Sequence, residues 1–215
     1  MSEIDRYYKC NRAEVAKLLP SKINRVLEIG CAAGGFRENV GGCEYWGVEM
    51  ISDVADLAKN KLDKVLVGAF EDVYDELPDN YFDMVVCNDV IEHMMDYDTF
   101  LENIKNKMTS NGRILGSIPN VRHVDNLKKL IFYKDWKYGD SGVLDRTHLR
   151  FFTLKSLRQT LLSHKYEIEV IKGINSSIPK WYRIGRRSLL RRLLVLLFGL
   201  DSRFLQYGFL VKLDQ

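Results

Sequence analysis

Residues 26–34 read Val26-Leu27-Glu28-Ile29-Gly30-Cys31-Ala32-Ala33-Gly34, and the small residues continue to Gly35. Consecutive apolar positions suit a strand buried on both faces. The small residues after it let the backbone turn tightly and pass close to a ligand that a side chain would block. A strand feeding a glycine-rich turn and then a helix is the opening of a nucleotide-binding α/β unit. Glu28 stands at the carboxyl end of this first strand, two residues before Gly30. Glu49 stands 19 residues after Gly30, at the end of a second strand read over Tyr45 to Val48. An acid there is placed to accept hydrogen bonds from both hydroxyls of a ribose.

Working outward, strand and helix signals alternate. Ala13, Val15, Ala16, Leu18 and Leu19 predict a helix over 11–19 that stops at Pro20. Ser52 is the expected N-cap of a helix from Asp53 to Lys61. Lys64 to Val67 predicts a third strand, and Phe82 to Cys87 a fourth after the turn Pro78-Asp79-Asn80. Phe100, Leu101 and Ile104 have helical spacing within Tyr97 to Met108. Asn111-Gly112 is expected to turn the chain into a fifth strand, Arg113 to Ile118. This rhythm predicts an α/β protein with a parallel sheet and helices on both faces.

Residues 120–150 break the rhythm, with a short helix expected near Asn126 to Phe132. Thr153 then caps a helix to about His164, Tyr166 to Ile171 makes a sixth strand, and Phe204 to Leu213 a last one. A basic, apolar helical segment at roughly 180–199 lies between them. The expected organisation is a single domain over 1–215, with insertions at about 120–150 on the acceptor side and at 177–200.

With 46% hydrophobic and 28% charged residues in 215, the chain can build a real core, which excludes intrinsic disorder. Its formal charge of +3 is too small for binding nucleic acid by bulk electrostatics, and no such partner is expected. The charge is uneven. Lys180 to Arg203 holds seven basic residues against Asp201, so taking that +6 from the total +3 leaves the remainder near −3. Cys10, Cys31, Cys43 and Cys87 form no C-x-x-C pair and read as reduced thiols. The opening MSEIDRYYKC is polar, without the apolar core of a signal peptide, and a cytoplasmic location is expected. The longest apolar stretch, Leu193 to Leu200, is far short of the ~20 residues of a membrane span.

Two cofactor classes use the geometry of the glycine loop. Gly30-x-Ala32-x-x-Gly35 imitates a degenerate dinucleotide fingerprint, which leaves an NAD(P)-dependent oxidoreductase as a remote alternative. Glu28-x-Gly30-x-Ala32-x-Gly34 resembles motif I of class I S-adenosylmethionine-dependent methyltransferases. Phe82-Asp83-Met84-Val85-Val86 and Asn88-Asp89-Val90-Ile91-Glu92-His93 resemble that family's segment around strand four, and Asn111-Gly112-Arg113 its turn before strand five. Together these motifs span 20–120 in the family's order.

The resemblance implies a Rossmann-like, seven-stranded mixed sheet whose last strand is antiparallel. It implies that Glu28 and the backbone of Gly30, Ala32 and Gly34 face the amino-acid end of S-adenosyl-L-methionine, and Glu49 its ribose. Met50 would pack on the adenine, Ala69 and Phe70 flank it, Glu71 approach its amino group, and Asn88 contact the methionine portion. Two positions depart from the pattern: Ala32 replaces a common glycine, and Ala69 replaces the usual aspartate, whose place Glu71 could take.

Methyl transfer from a sulfonium chiefly needs alignment, which can supply effective molarities of ~10⁵ M or more. An alcohol acceptor must also lose a proton, and histidine is the usual agent near neutral pH. His164, late in a helix, reads as structural. His93 follows strand four, where it could serve as a base, as a metal ligand beside Glu92, or structurally. His123 and His148 bracket the 120–150 insertion. Pro119-Asn120-Val121-Arg122-His123 and Leu144-Asp145-Arg146-Thr147-His148-Leu149-Arg150-Phe151-Phe152-Thr153 resemble a methyltransferase subgroup often associated with bacterial polysaccharide and sugar modification.

Asp145 would orient His148 if a turn brought them together, and pinning of the insertion is the alternative. The candidate catalytic residues are therefore His148, His123, Asp145 and His93, with no metal cluster of recognisable ligand spacing. The expected reaction is O-methylation of a sugar hydroxyl on a glycan or its precursor, small or lipid-linked. A quinone-type phenol or small metabolite is the alternative acceptor. Residues 183–200 suit contact with the inner face of a membrane, a homodimer contact, or cover for the sheet edge. A non-catalytic membrane-surface module with this fold is the reading from another class.

Overall fold

The computed structural model describes residues 11–178 and 186–214. Cys10 and the opening segment, Lys180 and Arg183 lie outside them, and so do the side chains of Arg186 and Arg187.

The stretch around Glu28 forms β1 (Arg25–Ile29), which pairs in parallel with β2 (Glu44–Glu49) and with β4 (Phe82–Asn88). With β3 (Lys64–Val67), β5 (Met108–Pro119), β6 (Tyr166–Ser176) and β7 (Phe204–Leu213) they make one seven-stranded sheet. Its order is β3-β2-β1-β4-β5-β7-β6, and β7 is antiparallel to both neighbours. This is the mixed sheet expected from the motifs. Both faces are covered, and alternation along the strands divides the core. Leu27, Ile29, Val85 and Cys87 join Phe100, Ile104 and Leu157 on one side. Val26, Met84, Val86 and Leu115 join Val15, Phe36 and Ala58 on the other. That double burial explains why β1 and β4 read as unbroken apolar runs.

Helices α1 (Ala13–Ala16), α2 (Ser52–Ala58), α3 (Tyr97–Lys107), α4 (Val124–Lys128), α5 (Leu154–Ser163) and α6 (Arg186–Phe198) surround the sheet. Thr153 caps α5 as expected, in a capping box with Ser156. Other expectations change. The helix over 11–19 contracts to the four residues of α1. A single 3₁₀ turn, Phe36–Asn39, follows the glycine loop in place of a full helix. Ser52 is the first helical residue and not the cap; Ile51 holds the cap position, with its amide donating to the Glu49 carboxylate. Asn111-Gly112 lies inside β5. Pairing jumps from Phe82–Met108 to Met84–Arg113, so the residues between bulge out before the ladder resumes.

All the parallel strands end on one edge. Strand order reverses between β1 and β4, and the crevice at such a switch point is where open α/β sheets bind ligands. The loops after β1, β2, β3, β4 and β5 carry nearly every residue the sequence singled out. No helix among the described residues is long and apolar enough to cross a membrane. Cys31, Cys43 and Cys87 are free thiols.

Candidate active site

The loop after β1 is shaped by backbone constraints. Gly30 has φ +66°, and a Cβ there would stand 2.7 Å from Cγ2 of Val90, so the chain after β4 packs directly on this glycine. Ala32 is also left-handed, at φ 47°, a conformation costing an alanine roughly 1–2 kcal/mol. Its amide donates to Glu49 Oε2 at 2.9 Å, which holds the turn in place. The Ile51 amide donates to Glu49 Oε1 at 3.0 Å. Each carboxylate oxygen keeps a further lone pair, so Glu49 can still receive two hydroxyls. Met50, beside it, is 72% exposed over the crevice edge.

Two cofactor-side expectations change in detail. Glu28 is buried and accepts from the Tyr45 hydroxyl at 2.9 Å, so its carboxylate is engaged inside the core. Burial pushes its pKa up to about 8; the Tyr45 hydrogen bond opposes this, and the nearby Glu49 charge adds to it. Phe70 does not offer its ring to a ligand. It is buried edge-on against Phe100 at 5.0 Å and Tyr74 at 5.5 Å, leaving its backbone at the edge. Ala69 is half-buried, with its amide on Asp72, while Glu71 is exposed.

Asn88, at the end of β4, has both side-chain amide atoms buried without a hydrogen-bond partner. Such orphaned groups cost about 1–3 kcal/mol unless a ligand satisfies them. The glycine loop, the Glu49 carboxylate and the orphaned Asn88 amide together fit a ligand with a ribose and a polar amino-acid tail.

Next to this cradle the insertion closes on the segment after β4. The amides of Leu149 and Arg150 donate to the backbone carbonyl of Glu92 at 2.8 and 3.2 Å. This brings His148 beside His93, with ring centroids 4.7 Å apart. His148 Nε2 lies 4.0 Å from Glu92 Oε1. Glu92 is 1% exposed, and neither of its carboxylate oxygens has a hydrogen-bond partner. Burial raises its pKa well above the usual carboxylate range; Asp89 adds to the shift and Arg12 opposes it.

The expected Asp145–His148 pair is replaced by a different arrangement. A turn does bring the residues together through backbone, His148 N–H donating to Asp145 O. The partner of the His148 ring, however, is the Val143 carbonyl, 3.0 Å from Nδ1. Asp145 instead accepts from the Thr147 amide at 2.8 Å and its hydroxyl at 2.7 Å. Burial would raise the Asp145 pKa, but these bonds from Thr147 outweigh it and hold the carboxyl below its usual value. Thr147 in turn meets His93 Nδ1 through its carbonyl at 3.2 Å and its hydroxyl at 3.1 Å. Burial lowers the His93 pKa, and His148 adds to the effect.

His123 stands apart from this group. It precedes α4, is 5% exposed, and has Nδ1 3.9 Å from Asp125, which also pairs with Arg191 of α6. Its Nε2 is buried without a partner, and burial lowers its pKa. Thr147 and Val143, which orient the two neighbouring imidazoles, carried no sequence signal, because one acts largely and the other wholly through backbone carbonyls. In the sequence Asp89 stands out only as part of a motif. Its carboxylate receives Arg12, Ser117 and Gln206, which join three distant parts of the chain below the site.

The sequence profile of a family described as a methyltransferase domain matches residues 2–171. The chain belongs to that family. S-adenosylmethionine is the cofactor that goes with this methyltransferase fold, and the cradle of Gly30, Glu49 and Asn88 suits it. A SAM-dependent methyltransferase from Archaeoglobus fulgidus superposes with a TM-score of 0.69 at 20% identity, over 98% of this methyltransferase and 100% of that chain. One from Aquifex aeolicus gives 0.60 at 14%, over 96% and 92%. At these identities the likeness concerns the fold. A 100-residue stretch is 31% identical to the mitochondrial ubiquinone biosynthesis O-methyltransferase of Schizosaccharomyces pombe, covering 42% of this chain and 36% of that protein. The methyltransferase thus matches little more than a third of that relative's length.

Proposed function

We propose that this methyltransferase transfers the methyl group of S-adenosylmethionine to a sugar hydroxyl on a glycan or glycan precursor. The observation that carries the reading is the meeting of Glu92, His93 and His148 on the same strand edge as the Gly30 loop. The cofactor supplies an already activated methyl group on its sulfonium. What the chain must add is a place for the acceptor oxygen and a way to remove its proton. The acceptor side has both a buried carboxylate and two imidazoles, whose polarity suits a hydroxyl better than an apolar ring. The segments 119–123 and 144–153, whose sequence resembles the sugar-modifying subgroup, contain His123 and His148, and the second segment brings His148 to this group.

A lipid-linked acceptor is supported by an apolar surface formed by α6 and the residues after α4. Leu189, Leu190, Leu193, Leu196 and Leu197 of α6 are all at least half exposed, and Phe132 and Tyr133 beside α4 are exposed too. Phe132 and Phe198 stand 6.3 Å apart, so the two patches adjoin. Leucines with arginines on one helix suit an anionic lipid surface. The same apolar patch, with the matching stretch in the ubiquinone biosynthesis O-methyltransferase, favours the second reading, a quinone-type phenol.

The test is transfer of label from methyl-labelled S-adenosylmethionine to three acceptor panels: nucleotide sugars, lipid-linked sugars and prenylated catechols. Label in either sugar panel supports the proposal, and label only in the catechols replaces it with the second reading. Tight S-adenosylhomocysteine binding without transfer to any panel removes both.

A further inference from the structure

We propose that Glu92, His93 and His148 form the binding site of a divalent transition-metal ion, which holds the acceptor hydroxyl. One oxygen of Glu92 and one ring nitrogen from each histidine lie within 4.8 Å of one another. Ligands 2.0–2.2 Å from a metal stand about 3 Å apart, so small side-chain rotations close the group around an ion. Three further features point to a cation.

First, the Glu92 carboxylate is 1% exposed and both of its oxygens lack a hydrogen-bond partner. A buried polar group left without a partner is costly, and a cation in the site would satisfy both oxygens. Second, the proton positions are those of metal ligands. A carbonyl only accepts, so His148 Nδ1 donates to Val143 O and His93 Nδ1 to Thr147 O. Each ring therefore presents its Nε2 lone pair, and a second carbonyl bond of this kind is the usual support of a ligating histidine. Third, the site sits in a negative surround. The Asp145 carboxylate is tied to the site through Thr147, whose hydroxyl donates to Asp145 and meets His93 Nδ1.

Two imidazoles and one carboxylate with open positions select manganese, iron, cobalt or zinc over magnesium, which prefers an all-oxygen shell. What the ion does rests on the methyl-transfer reading; that it binds rests on the geometry alone. In the reaction the acceptor hydroxyl takes an open position, and the ion lowers its pKa. Its proton leaves to water. The oxygen then forms a bond to the methyl carbon as the carbon–sulfur bond breaks, its electron pair remaining on sulfur to give S-adenosylhomocysteine. The histidines on this account hold the ion and do not themselves take the proton.

The experiment is titration of chelator-stripped full-length protein with Co²⁺ and with Zn²⁺, followed by calorimetry and, for cobalt, the visible spectrum. Glu92→Gln and His148→Ala are run in parallel, with S-adenosylhomocysteine affinity as the control for folding. We expect one ion per chain, at least tenfold weaker binding in both variants, and unchanged S-adenosylhomocysteine affinity. Absence of cobalt or zinc binding by the wild type, or equal binding by both variants, overturns the site. If either variant fails to fold, His93→Ala and the ligand-field bands of the wild type decide. Binding of the ion without transfer to any acceptor sinks the methylation reading and leaves the site standing. Full transfer activity in stripped protein leaves that reading standing and overturns the ion's role.

Discussion

The Leu149 amide donates to the backbone carbonyl of Glu92 at 2.8 Å. This bond joins the insertion between β5 and α5 to the segment after β4. Without it His148 would be a histidine in a loop. With it, His148 stands beside His93 and a buried carboxylate at the mouth of the cofactor crevice. The group of Glu92, His93 and His148 is thus assembled across two loops whose sequences are more than fifty residues apart.

Glu49→Ala is expected to weaken S-adenosylhomocysteine binding by about 1–3 kcal/mol, the loss of a charged hydrogen-bonding group. The structure adds a second effect, since Glu49 also holds the amides of Ala32 and Ile51. Glu49→Gln keeps one acceptor oxygen and should lose less. Calorimetric titration of both variants checks the order, and equal affinity to wild type would remove Glu49 from the ribose site.

Gly30→Ala should abolish tight cofactor binding and lower stability by roughly 1–2 kcal/mol or more, because it places a Cβ in left-handed backbone. That Cβ also meets Val90. Adding Val90→Ala removes the contact but not the backbone strain, so the double variant should recover part of the lost stability and no more. Chemical denaturation of the single and double variants measures this, and complete recovery would show that packing alone requires the glycine.

His148→Ala should leave S-adenosylhomocysteine affinity within about twofold of wild type and lower turnover on the true acceptor by ~10²-fold or more. His164→Ala should not slow turnover to that degree. His164 bonds to Asp98 and Glu102 of α3, away from the crevice edge. Single-turnover rates at saturating cofactor distinguish the two, and similar rates for both variants would reduce His148 to scaffolding.

Glu28 makes stability depend on pH. Its folded pKa, about 8, lies above the ordinary value of 4.5, so the folded state retains a proton that the unfolded chain releases first. Its contribution is fully present below pH 4.5 and is lost progressively as pH rises through about 8. Glu28→Gln keeps an acceptor for Tyr45 and cannot ionise. Thermal unfolding between pH 5 and 9 should therefore fall less steeply for the variant than for wild type, and parallel profiles would refute the shift.

Leu196→Ser with Leu197→Ser should reduce binding to vesicles of anionic lipid without altering S-adenosylhomocysteine affinity. Both leucines are 70% exposed on α6. Co-sedimentation at low and high salt, with sizing of the protein alone, separates a lipid surface from a dimer contact. A shift from dimer to monomer with vesicle binding unchanged would assign the leucines to a second copy of the chain.

The local chemistry of the chain is readable in its sequence. β3 and β7 have the bounds read from the sequence, β1, β2 and β4 lie within a residue of theirs, and the Thr153 cap is where it was expected, because apolar alternation and capping are short-range effects. The Gly30 loop, Glu49 and Asn88 were legible for the same reason: each sits at the end of a strand, and strand ends in a parallel sheet share one edge. What the tertiary structure decided involves pairs far apart in sequence or groups without a side-chain signature. The burial of Phe70 against Phe100 depends on how α3 packs. The partner of His148 is a backbone carbonyl, and Asp145 reaches Thr147 and not His148, because a tight turn points its side chain back along its own loop. The meeting of Glu92, His93 and His148 needed the insertion to fold back on β4, and no spacing along the chain encodes that distance.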